Sequence, residues 1–353
     1  MKYFKSMKKI IKKYLKYFKM FFLKYKLLHK SNNIFLGTNH SDKRFYLVRR
    51  FNSVTGIFSN YTVFLKHIRF ALENNLIPVI DMQYEENYIY HEEGQLGKIN
   101  IWQNYFKQPF EYDLKDVLFS SNVIFSNNDV LSLYRLEPDI YKSKNEIECW
   151  GQIASDFLKF NDETYLYLNN IYKKLIPENK KVMGVSYRSG YVNGKPSGHP
   201  IQPSIEELIY DSKKYFNELN YDYIFLSVED QKIVDIFKNE FGDDLIVVDR
   251  LRINSDSKVI NNRSEKNDIN YREKIKDCID LDKLKDLNSY LETTSFDREN
   301  DKFHKGLEYI SEMYILSKCN SLICGMTSGI ISSIILNRNE YEFLKAYDLG
   351  TYD

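Results

Sequence analysis

The pattern of apolar and polar positions divides the chain into a basic lead, two α/β runs and one polar excursion. In the lead, Phe4, Met7, Ile10, Ile11, Leu15, Phe18, Phe22 and Leu23 recur at helical spacing. From Phe45 the pattern changes. Phe45 to Val48 reads as a strand, and Ile57 to Asn74 as a helix with Phe58, Tyr61, Phe64, Leu65, Ile68, Ala71 and Leu72 on one face. Ile77 to Asp81 is the next strand. A strand, helix, strand unit of this kind predicts a right-handed parallel connection. Val123 to Phe125 is a further strand, and Asn128 to Ile176 reads as mostly helical, with Trp150, Phe157, Leu158 and Leu168 as core candidates. Pro177-Glu178-Asn179-Lys180 marks the boundary between two halves.

The second run is the clearer one. Val182 to Tyr187 is a buried strand that breaks into a loop at Arg188. Ser204 caps a helix, with Glu207 completing a capping box and Ile205, Leu208, Ile209, Phe216 and Leu219 facing inward. Tyr223 to Ser227 is a strand, Gln231 to Phe241 a helix, and Leu245 to Val248 a strand ending at Asp249. Arg252 to Asn300 is polar and poor in core residues, and reads as an excursion. The pattern resumes with a helix from Phe303 to Lys318, a strand from Ser321 to Cys324, and a last helix starting at Ile330. These elements predict an α/β protein. Its expected parts are residues 1–30, an N-terminal domain over 31–176, and a C-terminal domain over 177–353 that carries the insertion 252–300.

Composition and charge narrow the function. The 353 residues carry a formal net charge of +1, so the whole molecule does not read as a nucleic-acid binder. The basic charge is local: Lys2, Lys5, Lys8, Lys9, Lys12, Lys13, Lys16, Lys19, Lys24 and Lys26 precede the first acid, Asp42. A basic, aromatic amphipathic helix suits an anionic membrane surface, and none of its apolar runs is long enough to span one. The alternative is a helix packed on a domain. The four cysteines show neither metal-ligand spacing nor a disulfide framework, which fits a reducing compartment. No metal and no cofactor is expected. Asp280-Leu281-Asp282 spells a DxD, but it lies in a charged helical run rather than after a strand.

Candidate chemistry gathers where strands end. Of the 14 glycines and 7 prolines, Gly184, Gly190, Gly194, Gly198, Pro196, Pro200 and Pro203 surround Arg188. An arginine on a stiff, glycine-rich loop after a strand ending at Ser186 suits an anion, because its planar fork matches phosphate oxygens. An ordinary crossover loop gives the same pattern. Three more strands end in polar loops, at Glu229-Asp230, at Asp249 and at Thr327-Ser328-Gly329. In an open parallel sheet these share the carboxyl edge, where ligands bind. Small residues at a helix start present N–H groups to a phosphate. The last loop lacks the Walker A lysine, and GxGxxG is absent. Glu229 or Asp230 could accept from a nucleoside, or both could cap the helix that follows. Gly56 opens the first helix. The stretch Asn100 to Phe106, NIWQNYF, reads either as a sugar-stacking loop or as buried aromatic packing.

Taken together, several segments resemble the fucosyltransferase-like, GT-B-type glycosyltransferases. The segments are VMGVSYRSGY, GHPIQPSIEELI, YIFLSVED, LSKCNSLICGMTSG and YEFLKAYDLGTYD, with TGIFSNYTVFLKHIRFALENNLIPVIDM and NIWQNYF in the first half. The resemblance implies two Rossmann-like domains facing a cleft. It also implies metal-independent, inverting transfer of a sugar, fucose among them, from a nucleotide donor to a glycan or glycolipid of the cell surface, at the inner face of the membrane. It assigns Arg188 to the donor diphosphate, with Ser186, Glu229, Asp230, Thr327, Ser328 and Gly329 around the donor and Gly56 facing it. Relatives commonly place an aspartate shortly after this arginine, where the chain reads Arg188-Ser189-Gly190-Tyr191. His199, Asp81 and Glu86 are therefore the candidates for the catalytic base. The departure also supports a second reading, a nucleotide- or glycan-binding protein on the same fold without turnover.

Overall fold

The computed structural model describes residues 33–34, 36–50, 55–83, 90–189, 197–253, 296–338 and 340–353. The basic lead, Glu86, most of the loop after Ser189 and the bulk of the 252–300 excursion lie outside these residues, and so do the expectations placed on them. Two sheets lie on either side of the Pro177–Lys180 boundary. The first has strands β1 (Asn33–Ile34), β2 (Phe45–Arg49), β3 (Ile77–Asp81) and β4 (Val123–Phe125), in the order β1-β4-β2-β3. Strand β2 runs parallel to β3 and β4, and β1 pairs antiparallel with β4. Helix α1 (Ile57–Glu73) links β2 to β3, with Phe58, Tyr61, Phe64, Leu65, Ile68 and Ala71 buried as the periodicity predicts. Helices α2 (Leu114–Leu118), α3 (Lys144–Phe157) and α4 (Asp162–Leu175) complete this half.

The second sheet is parallel throughout. It contains β5 (Val182–Ser186), β6 (Tyr223–Ser227), β7 (Leu245–Ile246), β8 (Ser321–Gly325) and β9 (Phe343–Tyr347), in the order β7-β6-β5-β8-β9. The connections are α5 (Ile205–Glu218), α6 (Gln231–Phe241), α7 (Asp301–Leu316) and α8 (Ser328–Asn337). Strand order reverses between β5 and β8, which is where an open α/β sheet binds ligands.

Several boundaries differ from the sequence reading. Strand β7 stops at Ile246, since the chain beyond it turns toward buried contacts made by Arg250 and Arg252. Helix α8 starts at Ser328 rather than Ile330, because the Thr327 hydroxyl accepts from the Ile330 N–H at 3.2 Å and caps the helix there. Leu219 is exposed: it occupies the C-cap of α5, past the face that meets the sheet. Strands β1 and β9 were not foreseen. Strand β9 is an edge strand with Lys345 in its middle, and such a charge interrupts the apolar alternation by which a strand is read.

The aromatic stretch after β3 is core. Trp102, Tyr105 and Phe106 are buried, and Trp102 stacks on Phe106 with centroids 4.1 Å apart. The Asn100 amide is spent on backbone, donating to Ile80 O at 2.8 Å and accepting from the Met82 N–H at 2.9 Å. These rings and this amide are therefore not a sugar-stacking surface. The reason is packing across the two halves: Tyr105 stacks on Phe303 of α7, and its hydroxyl donates to Phe303 O at 3.0 Å.

The halves share one apolar core. Helix α8 is buried nearly all round, with Ile330, Ile331, Ile334 and Ile335 packed between the second sheet and helices α1 and α3. Polar ties reinforce the joint. The Glu92 carboxylate accepts from the backbone N–H groups of Lys302 and Phe303, at 2.7 and 3.2 Å, in the first turn of α7. Tyr314 of α7 donates to Asn169 of α4 at 2.8 Å.

Candidate active site

Sheet register builds the site. Ser186, Ser227 and Cys324 lie abreast at the carboxyl ends of β5, β6 and β8. Two residues beyond the first two stand Arg188 and Glu229, and three beyond Cys324 stands Thr327. The structure brings Arg188 and Glu229 together, with Arg188 Nε 3.6 Å from Glu229 Oε1. Glu229 is almost fully buried and Arg188 partly so. At that distance Glu229 orients the Arg188 guanidinium and offsets part of its charge.

Two further groups place Arg188. Its N–H donates to Gln202 Oε1 at 3.4 Å. Gln202 fits there because residue 325 is glycine: a Cβ at Gly325 would stand 2.2 Å from that oxygen. The guanidinium also lies over the Tyr309 ring of α7, 5.6 Å from its centroid, in cation–π range. Tyr309 in turn abuts the start of α8, where a Cβ at Gly329 would stand 2.3 Å from its hydroxyl oxygen. Phe58, in the first turn of α1, meets the same ring edge-on at 5.3 Å. The first turns of α8 and α1, one from each half, thus both border the tyrosine beneath Arg188.

The remaining sequence candidates fall into different places. Asp230 caps α6, accepting from the Lys232 N–H at 3.0 Å, while Glu229 faces Arg188; one acid of the pair is a helix cap and the other is not. Ser186 is buried at the end of β5. Thr327 is a helix cap, and Ser328 and Gly329 form the first turn of α8. Gly56 is the N-cap of α1. Asp81 is buried against Arg49, accepting from Arg49 Nε at 2.7 Å and, on its other oxygen, from the Gln83 N–H at 3.0 Å. His199 is exposed, its Nδ1 is 3.2 Å from Ser197 O, and its loop is tied to the C-terminal tail through Tyr352 N–H to His199 O at 3.0 Å. Asp249 is followed by the groups that matter more, Arg250 and Arg252.

Those arginines belong to a buried network that sequence reasoning missed. Glu312 of α7 is inaccessible to solvent, with Oε1 2.8 Å from Arg250 Nε and 3.9 Å from Arg252, while Oε2 accepts from the Ser227 hydroxyl at 2.8 Å. Burial raises the Glu312 carboxyl pKa, and the two arginines and Ser227 oppose that rise. Burial likewise lowers the Arg252 pKa. Both arginines donate to the Val228 carbonyl, fixing the strand end that carries Glu229. A signal for α7 was present in the sequence. Asp301, Lys305, Glu308 and Glu312 are spaced as one helical stripe, and all four are buried. Arg298 completes that stripe with Nε 2.8 Å from Asp301 and Nη1 2.5 Å from Glu308.

Among the described residues no three His, Cys, Asp or Glu side chains are grouped to hold a metal ion, and no helix is long and apolar enough to cross a membrane.

With this geometry in place, the chain was compared with known proteins. No protein-family profile matches it and no curated protein matches it. Solved structures similar to it include NodZ α-1,6-fucosyltransferase soaked with GDP-fucose, at 14% identity and a TM-score of 0.44, over 83% of this chain and 92% of that one. NodZ from Bradyrhizobium gives 13% identity and a TM-score of 0.44 over the same shares. POFUT1 in complex with GDP gives 8% identity and a TM-score of 0.42, over 88% of this chain and 100% of that one. Likenesses at these scores leave the reading of the site to its own geometry.

Proposed function

We propose that the chain is a glycosyltransferase that moves a sugar from a nucleoside diphosphate donor to a glycan or glycolipid acceptor. The observation that carries this reading is Arg188. It stands at the point where strand order reverses, backed by Glu229 and seated on Tyr309 beside the start of α8. A guanidinium preorganised there offsets the charge that grows on a departing diphosphate, and the nearby helix start adds its positive end. The Glu312 network beneath β6 keeps Glu229, and through it Arg188, in place. Metal independence belongs to the same reading, since Arg188 then supplies the leaving-group stabilisation, and inversion belongs to it through direct attack of a base-activated acceptor hydroxyl on the face opposite the diphosphate. The acceptor proton passes to a base. Asp81 already accepts from Arg49 and from backbone, so of the two described candidates we favour His199, whose loop follows Arg188, as the base. The basic lead attaches the protein to the inner surface of the membrane.

Release of GDP or UDP from a panel of nucleotide sugars tests the proposal. Arg188→Ala is expected to lower turnover by a factor of 100 or more, ~3 kcal/mol of transition-state stabilisation. His199→Ala is expected to lower kcat by a factor of ~100 with the donor KM little changed. Nucleotide binding without release from any donor would instead support the second reading, a binding protein, which the missing aspartate after Arg188 favours.

A further inference from the structure

A second arginine marks a second anion site, on the first half. Arg49 and Arg50 follow one another at the carboxyl end of β2, and the structure treats them differently. Arg49 is neutralised by Asp81. Arg50 is half-buried and meets neutral oxygens: its Nη1 donates to Thr55 Oγ1 at 2.7 Å, Ser59 Oγ at 3.0 Å and Asn60 Oδ1 at 3.2 Å. Among the described residues these are its partners, and all of them hold one nitrogen. The Nε–Nη2 edge, the side of the fork that grips a carboxylate or phosphate with two parallel bonds, has none of them. Among the described residues the neighbouring ionisable groups add no negative charge. His67 is buried beside Arg50 and stays neutral, its Nδ1 engaged by the Tyr46 hydroxyl at 2.9 Å, and Lys66 is a cation. Burial pulls the Arg50 pKa down to about 10.

A partly desolvated cation is costly without a counter-charge, and three well-placed neutral acceptors orient it without supplying one. Its position gives the missing charge a source. Like Arg188, Arg50 sits at the carboxyl edge of its sheet beside a reversal of strand order, here between β2 and β4. Ser59, one of its anchors, adjoins Phe58, which packs on the Tyr309 ring beneath Arg188. The two arginines therefore border the same meeting of the halves.

We propose that Arg50 binds an acidic group, a carboxylate or a phosphate, carried by the acceptor. This deepens the glycosyltransferase reading by naming the acceptor as an anionic glycan or glycolipid, and it rests on that reading for the word acceptor. The oxyanion site itself does not.

Inorganic phosphate and glucuronate serve as probes, titrated by calorimetry into the full chain carrying Arg188→Ala, so that the donor arginine cannot answer for the site. This protein is expected to bind phosphate or glucuronate, and adding Arg50→Gln is expected to weaken that binding at least tenfold. Phosphate alone responding assigns a phosphorylated acceptor, and glucuronate alone an acidic sugar. Equal affinity with and without Arg50 overturns the site. In the otherwise unaltered protein, Arg50→Gln is expected to leave GDP and UDP affinity within threefold; a larger loss overturns the acceptor assignment, because Arg50 would then belong to the donor. Should Arg50→Gln fail to fold, Arg50→Lys keeps the charge and removes the fork, and an unchanged affinity in that protein overturns the proposal as well. Failure of the enzyme reading shows separately, as an absence of nucleotide release from any sugar donor in the unaltered protein while the phosphate response persists.

Discussion

At the residue scale, burial decides which charges the molecule tolerates. His67 lies within the core face of α1, and burial first, then Arg50 and Lys66, push its pKa down to about 3. The unfolded chain takes up this proton near pH 6.5, whereas the folded chain does not until about 3. The unfolded state thus binds more protons between those values, so this histidine's contribution is fully present above pH 6.5 and is lost as pH falls. Stability measured by urea titration is expected to decline toward pH 4, and His67→Gln to flatten that decline by up to ~1 kcal/mol per pH unit. An unchanged slope would place the acid sensitivity elsewhere. Arg188 was singled out in the sequence because glycines and prolines crowd the loop after its strand, a pattern that an ordinary crossover loop shares. Its partner choice was not: whether Glu229 or Asp230 faces it depends on which residue starts α6, and the cap at Asp230 settles that. Arg50 gave no signal, since its character comes from what does not surround it.

At the element scale, two glycines let side chains reach the site. Gly329 admits the Tyr309 hydroxyl to the first turn of α8, and Gly325 admits Gln202 to β8. In Gly329→Ala the added carbon must displace Tyr309, the ring on which Arg188 rests. Nucleotide affinity is expected to fall by a factor of five to ten, and the unfolding free energy by roughly 1–3 kcal/mol. Full affinity in a folded Gly329→Ala protein, measured by calorimetry, would separate Tyr309 from the site. Helix α1 and strands β2 to β6 were readable because each buries one clear apolar stripe or run. Strand β9 was obscured by Lys345, and the ends of α7 and α8 by charges and serines that the fold buries. The aromatic stretch at Trp102 carried two readings because rings look alike in sequence whether they face a sugar or Phe303; contacts between distant segments decided it.

At the scale of the whole molecule, the two sheets are joined through α8, α7 and the aromatic cluster into one core, while their carboxyl edges each end in an arginine. In the proposed reading each of these arginines holds one anionic partner. Charge is placed as deliberately along the chain. A near-neutral protein with eleven lysines before its first acid concentrates its basic charge in residues 1–30. Removing residues 1–30 is expected to abolish sedimentation with phosphatidylserine vesicles and leave the unfolding midpoint unchanged. Undiminished sedimentation would move the membrane contact to the folded part.

The central claim is that Arg188 holds the diphosphate of a nucleotide donor. Calorimetric titration of GDP and UDP into the full chain and its Arg188→Ala variant addresses it most directly. The account predicts that at least one nucleotide binds and that its affinity falls tenfold or more in the variant, with folding unaltered. Equal affinity for that nucleotide in both proteins, or no binding of either nucleotide to the unaltered chain, would contradict it.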